Sequence, residues 1–134
     1  MVFGLVLFLN GRQAQASNHA ALAIDNVFAA INSGQAESAV ALFANDAIAQ
    51  NLVRMETYSG ASEIRQMLQG MQRAGRQLDV VAVEMNGDTI TAQVEISDGG
   101  HVWGTETIEA KMNGDKLQAF SVVAFRLELW RIGR

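Results

Sequence analysis

Asn86-Gly87, Asp98-Gly99-Gly100 and Asn113-Gly114 divide residues 78–125 into four segments of strand length. Asn-Gly between alternating apolar residues is a strong hairpin signal, because both central residues of a type I′ turn need positive φ. The spacing predicts a four-stranded antiparallel meander. Alternation then assigns side chains to faces. A two-residue loop at Asn86-Gly87 pairs Val83 with Ile90 and Val81 with Ala92. A three-residue loop at Asp98–Gly100 puts Val102, Gly104, Glu106, Ile108 and Ala110 on the face of Ile90, Ala92, Val94 and Ile96. The Asn113-Gly114 turn adds Leu117, Ala119, Ser121, Val123 and Phe125. Trp103, Thr105, Thr107, Glu109, Phe120, Val122 and Ala124 fall on the reverse face, whose apolar area points to a partner. One misjudged loop residue would flip a strand.

Upstream of the meander the period changes from two to 3.6. Ala20, Ile24, Val27, Phe28 and Ile31 form the stripe of an amphipathic helix over 19–32, closed by Ser33-Gly34. A short helix is expected at 36–44 and a strand at 47–53. A third helix is capped by Gly60 and Glu63, carries Ile64, Met67, Leu68 and Met71 on one side, and stops near Gly75. Helices on one face of an antiparallel sheet make an α+β architecture.

The 134 residues suit a single domain, with 49% apolar and 18% charged residues favouring a large buried area. A net charge of −4 and the lack of a basic run argue against a nucleic-acid partner. The absence of cysteine removes thiolate chemistry and disulfides, and two distant histidines do not make a zinc site. Neither a metal nor another cofactor is implied. Residues 1–16 read as a signal peptide cleaved before Ser17, because a short apolar run precedes Ala14-Gln15-Ala16. No basic residue precedes that run, so a hydrophobic N-terminal extension is the alternative. The domain proper is 17–134, exported on the first reading and cytoplasmic on the second. No transmembrane span is expected.

Ala29-Ala30-Ile31-Asn32-Ser33-Gly34, Ala39 to Asp46 (AVALFAND) and Tyr58 to Leu68 (YSGASEIRQML) together resemble the NTF2-like superfamily, in its SnoaL-like and ketosteroid isomerase-like branches. Asn113-Gly114-Asp115-Lys116-Leu117 resembles the turn before that family's last strand. The resemblance spans roughly residues 20–125. It implies a cone: a curved antiparallel sheet wrapped by three helices, often holding a ligand pocket and dimerising through the sheet. It also allows a test of the isomerase chemistry. The family's general base matches Asn51, an amide that cannot accept a proton at neutral pH. The tyrosine of the first helix matches Val27. The neutral acid falls near Glu106 to Ile108. Isomerase chemistry is therefore disfavoured, and the Asp-Arg-Asp set of limonene epoxide hydrolases has no counterpart.

Glu106 is the leading candidate acid or base, since a carboxyl on an apolar face has its pKa raised by burial. Its alternatives are an ion pair with Arg54 or Arg126, or exposure to solvent. Tyr58, near Glu56 at the start of the third helix, can hydrogen-bond a ligand carbonyl or pack against that helix. Asn51, Ser121, Val27 and Phe28 are the expected pocket residues. Trp103, Phe120 and Val122 are the expected dimer face. Asp46 and His101 read as turn residues. The tail Arg126–Arg134 extends the last strand without an obvious partner strand. Three functions follow: a homodimer that binds a small hydrophobic molecule or is structural, a SnoaL-like enzyme working through Glu106, or a protein-interaction module using the sheet face.

Overall fold

The protein is described here by a computed structural model covering residues 11–128, with side chains from His19 onward. The elements run α1 (Gly11–Asn32), α2 (Ala36–Val40), β1 (Phe43–Asn51), β2 (Glu56–Ser59), α3 (Gly60–Arg73), β3 (Gln77–Asn86), β4 (Thr89–Asp98), β5 (His101–Asn113) and β6 (Lys116–Leu127). One curved, unclosed sheet takes the order β2-β1-β6-β5-β4-β3, and the helices lie against one face. This is the α+β cone expected from the sequence. The sheet is not wholly antiparallel, because β1 runs parallel to β6. No helix among the described residues is long and apolar enough to cross a membrane. Residues 1–10 of the N-terminal segment and the tail beyond Glu128 lie outside the described residues.

The meander stands where expected, but its two Asn-Gly loops sit one residue further along and its middle turn is one residue tighter. Asn86 pairs with Thr89, so the first loop is Gly87-Asp88, and Met85 faces Ile90 while Val83 faces Ala92. Gly87 has φ +66 and Asp88 is not left-handed, a pattern of type II′ with glycine leading. Asn113 pairs with Lys116 around Gly114-Asp115 in the same way. At the middle turn Asp98 pairs with His101, so the loop is Gly99-Gly100 alone. Trp103 is then inserted as a bulge, since Ser97 faces Val102 and Ile96 faces Gly104. The shortened loop and the extra strand residue cancel. Glu106 keeps the expected face, now opposite Val94 and Phe125 instead of beside Ala92 and opposite Ser121.

In β6 the bulges do change the outcome. Lys111 faces Ala119 and Met112 faces Leu117, leaving Gln118 unpaired as the extra residue. That insertion turns Phe120 and Val122 to the helix-covered face, where they are buried, and turns Ser121 to the reverse face opposite Glu109. A second extra residue, Val123, restores the original parity at Phe125. The expected dimer face thus loses Phe120 and Val122. Asp46 is also corrected: it is an exposed strand residue whose carboxylate accepts from Gln118 Nε2 at 3.2 Å, not a turn residue. The second helix stops at Val40 because Leu117 N–H donates to Leu42 O, drawing Phe43 into the sheet.

The core joins α1 to the sheet. Phe28 and Phe43 both meet Phe120, at centroid separations of 6.1 and 5.7 Å. Ile24, Val27, Ile64, Leu68, Ile90, Ile108 and Leu117 are fully buried around them. Each such side chain contributes about 1.5–3 kcal/mol. Polar ties fix the helices. Asn32 donates to Leu78 O at 2.7 Å and accepts from Leu78 N–H at 2.9 Å, locking the end of α1 to the start of β3. Gln72 Oε1 accepts from Ala36 N–H at 2.7 Å, so α3 caps α2. Gly60 opens α3 at φ +81, where other residues are strained, and Glu63 accepts from Ser59 N–H at 2.8 Å.

Candidate functional site

A cavity of about 420 Å³ opens between the C-terminal half of α3 and the sheet. Its apolar wall is Met67, Met71, Leu78, Ile96, Phe120 and Val122. Gly70 widens it, because a Cβ there would find only the tip of Arg73, at 3.9 Å. Polar groups come from β1, β2 and β5, namely Gln50, Asn51, Glu56, Tyr58 and Glu106. Arg54, Arg73 and Arg76 also line it. An apolar hollow with a few convergent polar groups is the usual form of a small-molecule site.

Glu106 is the unusual member. Desolvation raises its pKa above the ordinary glutamate value. Among the described residues it has neither a hydrogen-bond nor an ion-pair partner. Arg54 pairs instead with Glu56 at 3.8 Å, and Arg126 pairs with Glu128 at 3.2 Å. A protonated Glu106 can donate a hydrogen bond into the cavity; an ionised one can accept a proton.

The β1–β2 end carries a chain of contacts. Tyr58 donates its hydroxyl proton to Glu56 Oε1 at 3.0 Å. Burial raises the Tyr58 pKa, and the Glu56 carboxylate adds to the effect through its hydrogen bond and its charge. With that proton engaged, Tyr58 offers a ligand its oxygen lone pairs. Asn51 Oδ1 accepts from Arg54 N–H at 3.1 Å, which leaves the Asn51 amide nitrogen as a donor. The connecting loop holds Met55 at φ +59 and 87% exposed.

The structure brings Glu106, Tyr58 and Asn51 to one cavity, together with Phe120 and Val122 from the opposite expectation. Val27 and Phe28 are buried in the core and do not line it. Ser121 is carried away by the bulge at Gln118. Trp103 is half-buried against the core, edge-on to Phe125 at 5.7 Å, with the Arg76 guanidinium 4.4 Å from its ring centroid. His101 is an exposed residue at the start of β5. Sequence reasoning missed Arg73, Arg76 and Gly70. All three surround a helix stop, and only the fold brings them opposite Glu106. Among the described residues no group of three His, Cys, Asp or Glu side chains could hold a metal ion.

The sequence profile described as SnoaL-like domain matches residues 24–132. No curated protein matches. Among solved structures, a de novo designed protein with a curved β-sheet aligns at TM-score 0.68 and 14% identity, covering 83% of this chain and 86% of the other. A presumed polyketide cyclase from Sinorhizobium meliloti aligns at 0.65 and 14%, covering 75% and 93%. A hypothetical protein of ketosteroid isomerase-like fold from Catenulispora acidiphila, bound to trimethylamine, also aligns at 0.65 and 14%, covering 76% and 84%. These identities carry the fold alone. A designed chain shares it as closely as the natural ones do, so the shape does not specify a reaction.

Proposed function

The chain belongs to the SnoaL-like domain family, and on that premise we propose that it binds a small hydrophobic molecule between α3 and the sheet. The observation that carries this reading is the cavity of about 420 Å³, whose apolar wall surrounds a single unpartnered carboxyl, Glu106. The apolar wall supplies affinity and Glu106 supplies orientation. The trimethylamine held by the Catenulispora protein is a small amine; here three arginines line the cavity and disfavour a cation.

Fluorescence titration with neutral N-phenylnaphthylamine tests the reading. We expect saturable binding that Gly70→Leu abolishes, because the new side chain projects into the hollow. Binding unaffected by that substitution, or no binding at all, would falsify it.

A second reading is a SnoaL-like enzyme using Glu106 as acid or base, favoured by the desolvation of that carboxyl. Isomerase chemistry of the ketosteroid type stays disfavoured, since Asn51 stands at the position of the base and Val27 is sealed in the core. Exchange of the α-protons of a bound cyclic ketone in D₂O, read by NMR, separates the two. Exchange lost in Glu106→Gln supports an enzyme, and its absence in the native protein supports a binder. A sheet-to-sheet homodimer belongs to the first reading, although its face would be Gln93, Thr107, Glu109 and Ser121. A strictly monomeric species in light scattering at high concentration removes it. Export is part of the same proposal, and an intact mass beginning at Ser17 in a secreted fraction would support it.

A further inference from the structure

We propose that Arg73 and Arg76 bind the anionic end of an amphipathic organic acid whose apolar body fills the cavity, an inference that rests on the ligand-binding reading above. Five arginine side chains are described. Arg54, Arg65 and Arg126 each pair with a carboxylate, of Glu56, Glu37 and Glu128 respectively. Arg73 and Arg76 have no such partner among the described residues, and both line this one cavity. In a chain of net charge −4, two unpaired guanidiniums at one opening create a local positive field.

Arg76 is also held in place. Its guanidinium lies over the Trp103 ring at 4.4 Å, and Trp103 meets Phe125 edge-on. Phe125 can lie there because Gly104 has no side chain: a Cβ would come 2.5 Å from the Phe125 ring. The bulge at Trp103 thus serves to present a cation whose face is stacked and whose N–H edge is open. Such an edge matches a carboxylate or sulfonate. Helix-dipole complementarity accounts for Arg73 in the last turn of α3 but not for Arg76, which lies beyond the helix. The other charges lining the cavity are Arg54, Glu56 and Glu106. Glu56 is occupied by Arg54 and Tyr58.

Two fluorescent molecules that differ by one anionic group test this: anilinonaphthalene sulfonate and neutral N-phenylnaphthylamine. We expect the sulfonate to bind the native protein about tenfold more tightly, the scale of one charge-assisted hydrogen bond. The double variant R73Q/R76Q is expected to bring the sulfonate to parity with the neutral compound measured in the same variant. R73K/R76K is expected to recover part of the preference. Equal affinities in the native protein overturn the inference while leaving the cavity reading intact. A preference that survives R73Q/R76Q overturns it as well, as does sulfonate binding that persists in Gly70→Leu. Failure of both compounds to bind the native protein removes the cavity reading and this inference together.

Discussion

The two ends of the same sheet face are built differently. Under α1 the face is filled: Phe28, Phe43 and Phe120 interlock, with Ile24, Ile90 and Ile108 fully buried around them. Under the end of α3 it is hollow, and Met67, Gly70, Met71 and Glu106 border open space. Strand alternation is the same at both ends, so secondary structure does not decide which end closes. Side-chain size and polarity decide it. Phe120 belongs to both regions, as a wall of the core and a wall of the cavity.

The largest expected effect comes from breaking the filled end. Phe28→Ala is expected to cost about 3–5 kcal/mol in urea unfolding, because the surrounding core cannot collapse onto the missing ring. Met71→Ala, at the hollow end, is expected to cost about 1 kcal/mol, since Met71 is half-buried beside existing space. Similar losses at the two positions would mean that the two ends are packed alike.

The next effect concerns the tie between the ends. Asn32→Ala leaves Leu78 N–H and Leu78 O without their partner in a partly buried site. We expect a loss of about 2 kcal/mol, accompanied by faster hydrogen exchange at Leu78, which also lines the cavity.

A smaller effect distinguishes the ends by pH. Glu106 has a folded-state pKa raised above the ordinary 4.5. Between those two values the folded state holds more protons than the unfolded state, so stability falls as pH rises through the window. The penalty persists at neutral pH and vanishes well below pH 4.5. Glu106→Gln removes this dependence. It is expected to raise Tm at pH 7 and to leave it unchanged at pH 3; an equal shift at both would assign the effect to packing.

The contrast between the ends also explains what the sequence made legible. Glycine turns and apolar periodicity located the helices and the four strands of the meander, because those signals reside in local backbone preference. β2 escaped because Glu56–Ser59 is short, polar and at a sheet edge, with no apolar alternation. The bulges escaped for a different reason. An extra residue at Gln118 is set by pairing across strands, and it reversed Phe120, Ser121 and Val122 together. Residue size held the missing signal: Phe120 and Val122 are core-sized, whereas Ala119 and Ser121 are not. The cavity arginines could not be read at all, since Arg76, just beyond α3, reaches Trp103 and the cavity of Glu106 only once that segment has folded against β5.

The smallest expected effect sharpens the comparison most directly. Gly70 sits inside α3, where glycine is less favourable than alanine by about 1 kcal/mol. Its φ is not in the left-handed region, and a Cβ would meet only the flexible tip of Arg73. Neither backbone conformation nor space requires glycine there. Gly70→Ala is therefore expected to stabilise the fold by about 0.5–1 kcal/mol in urea unfolding, while N-phenylnaphthylamine still binds with affinity reduced less than about threefold, a change below 1 kcal/mol. Gly70→Leu is expected to keep the helical gain and lose the binding. Such a pair would separate the stability of α3 from the volume beside it. If Gly70→Ala destabilised the protein, the space beside the helix would already be occupied by packing, and the hollow end would not be hollow.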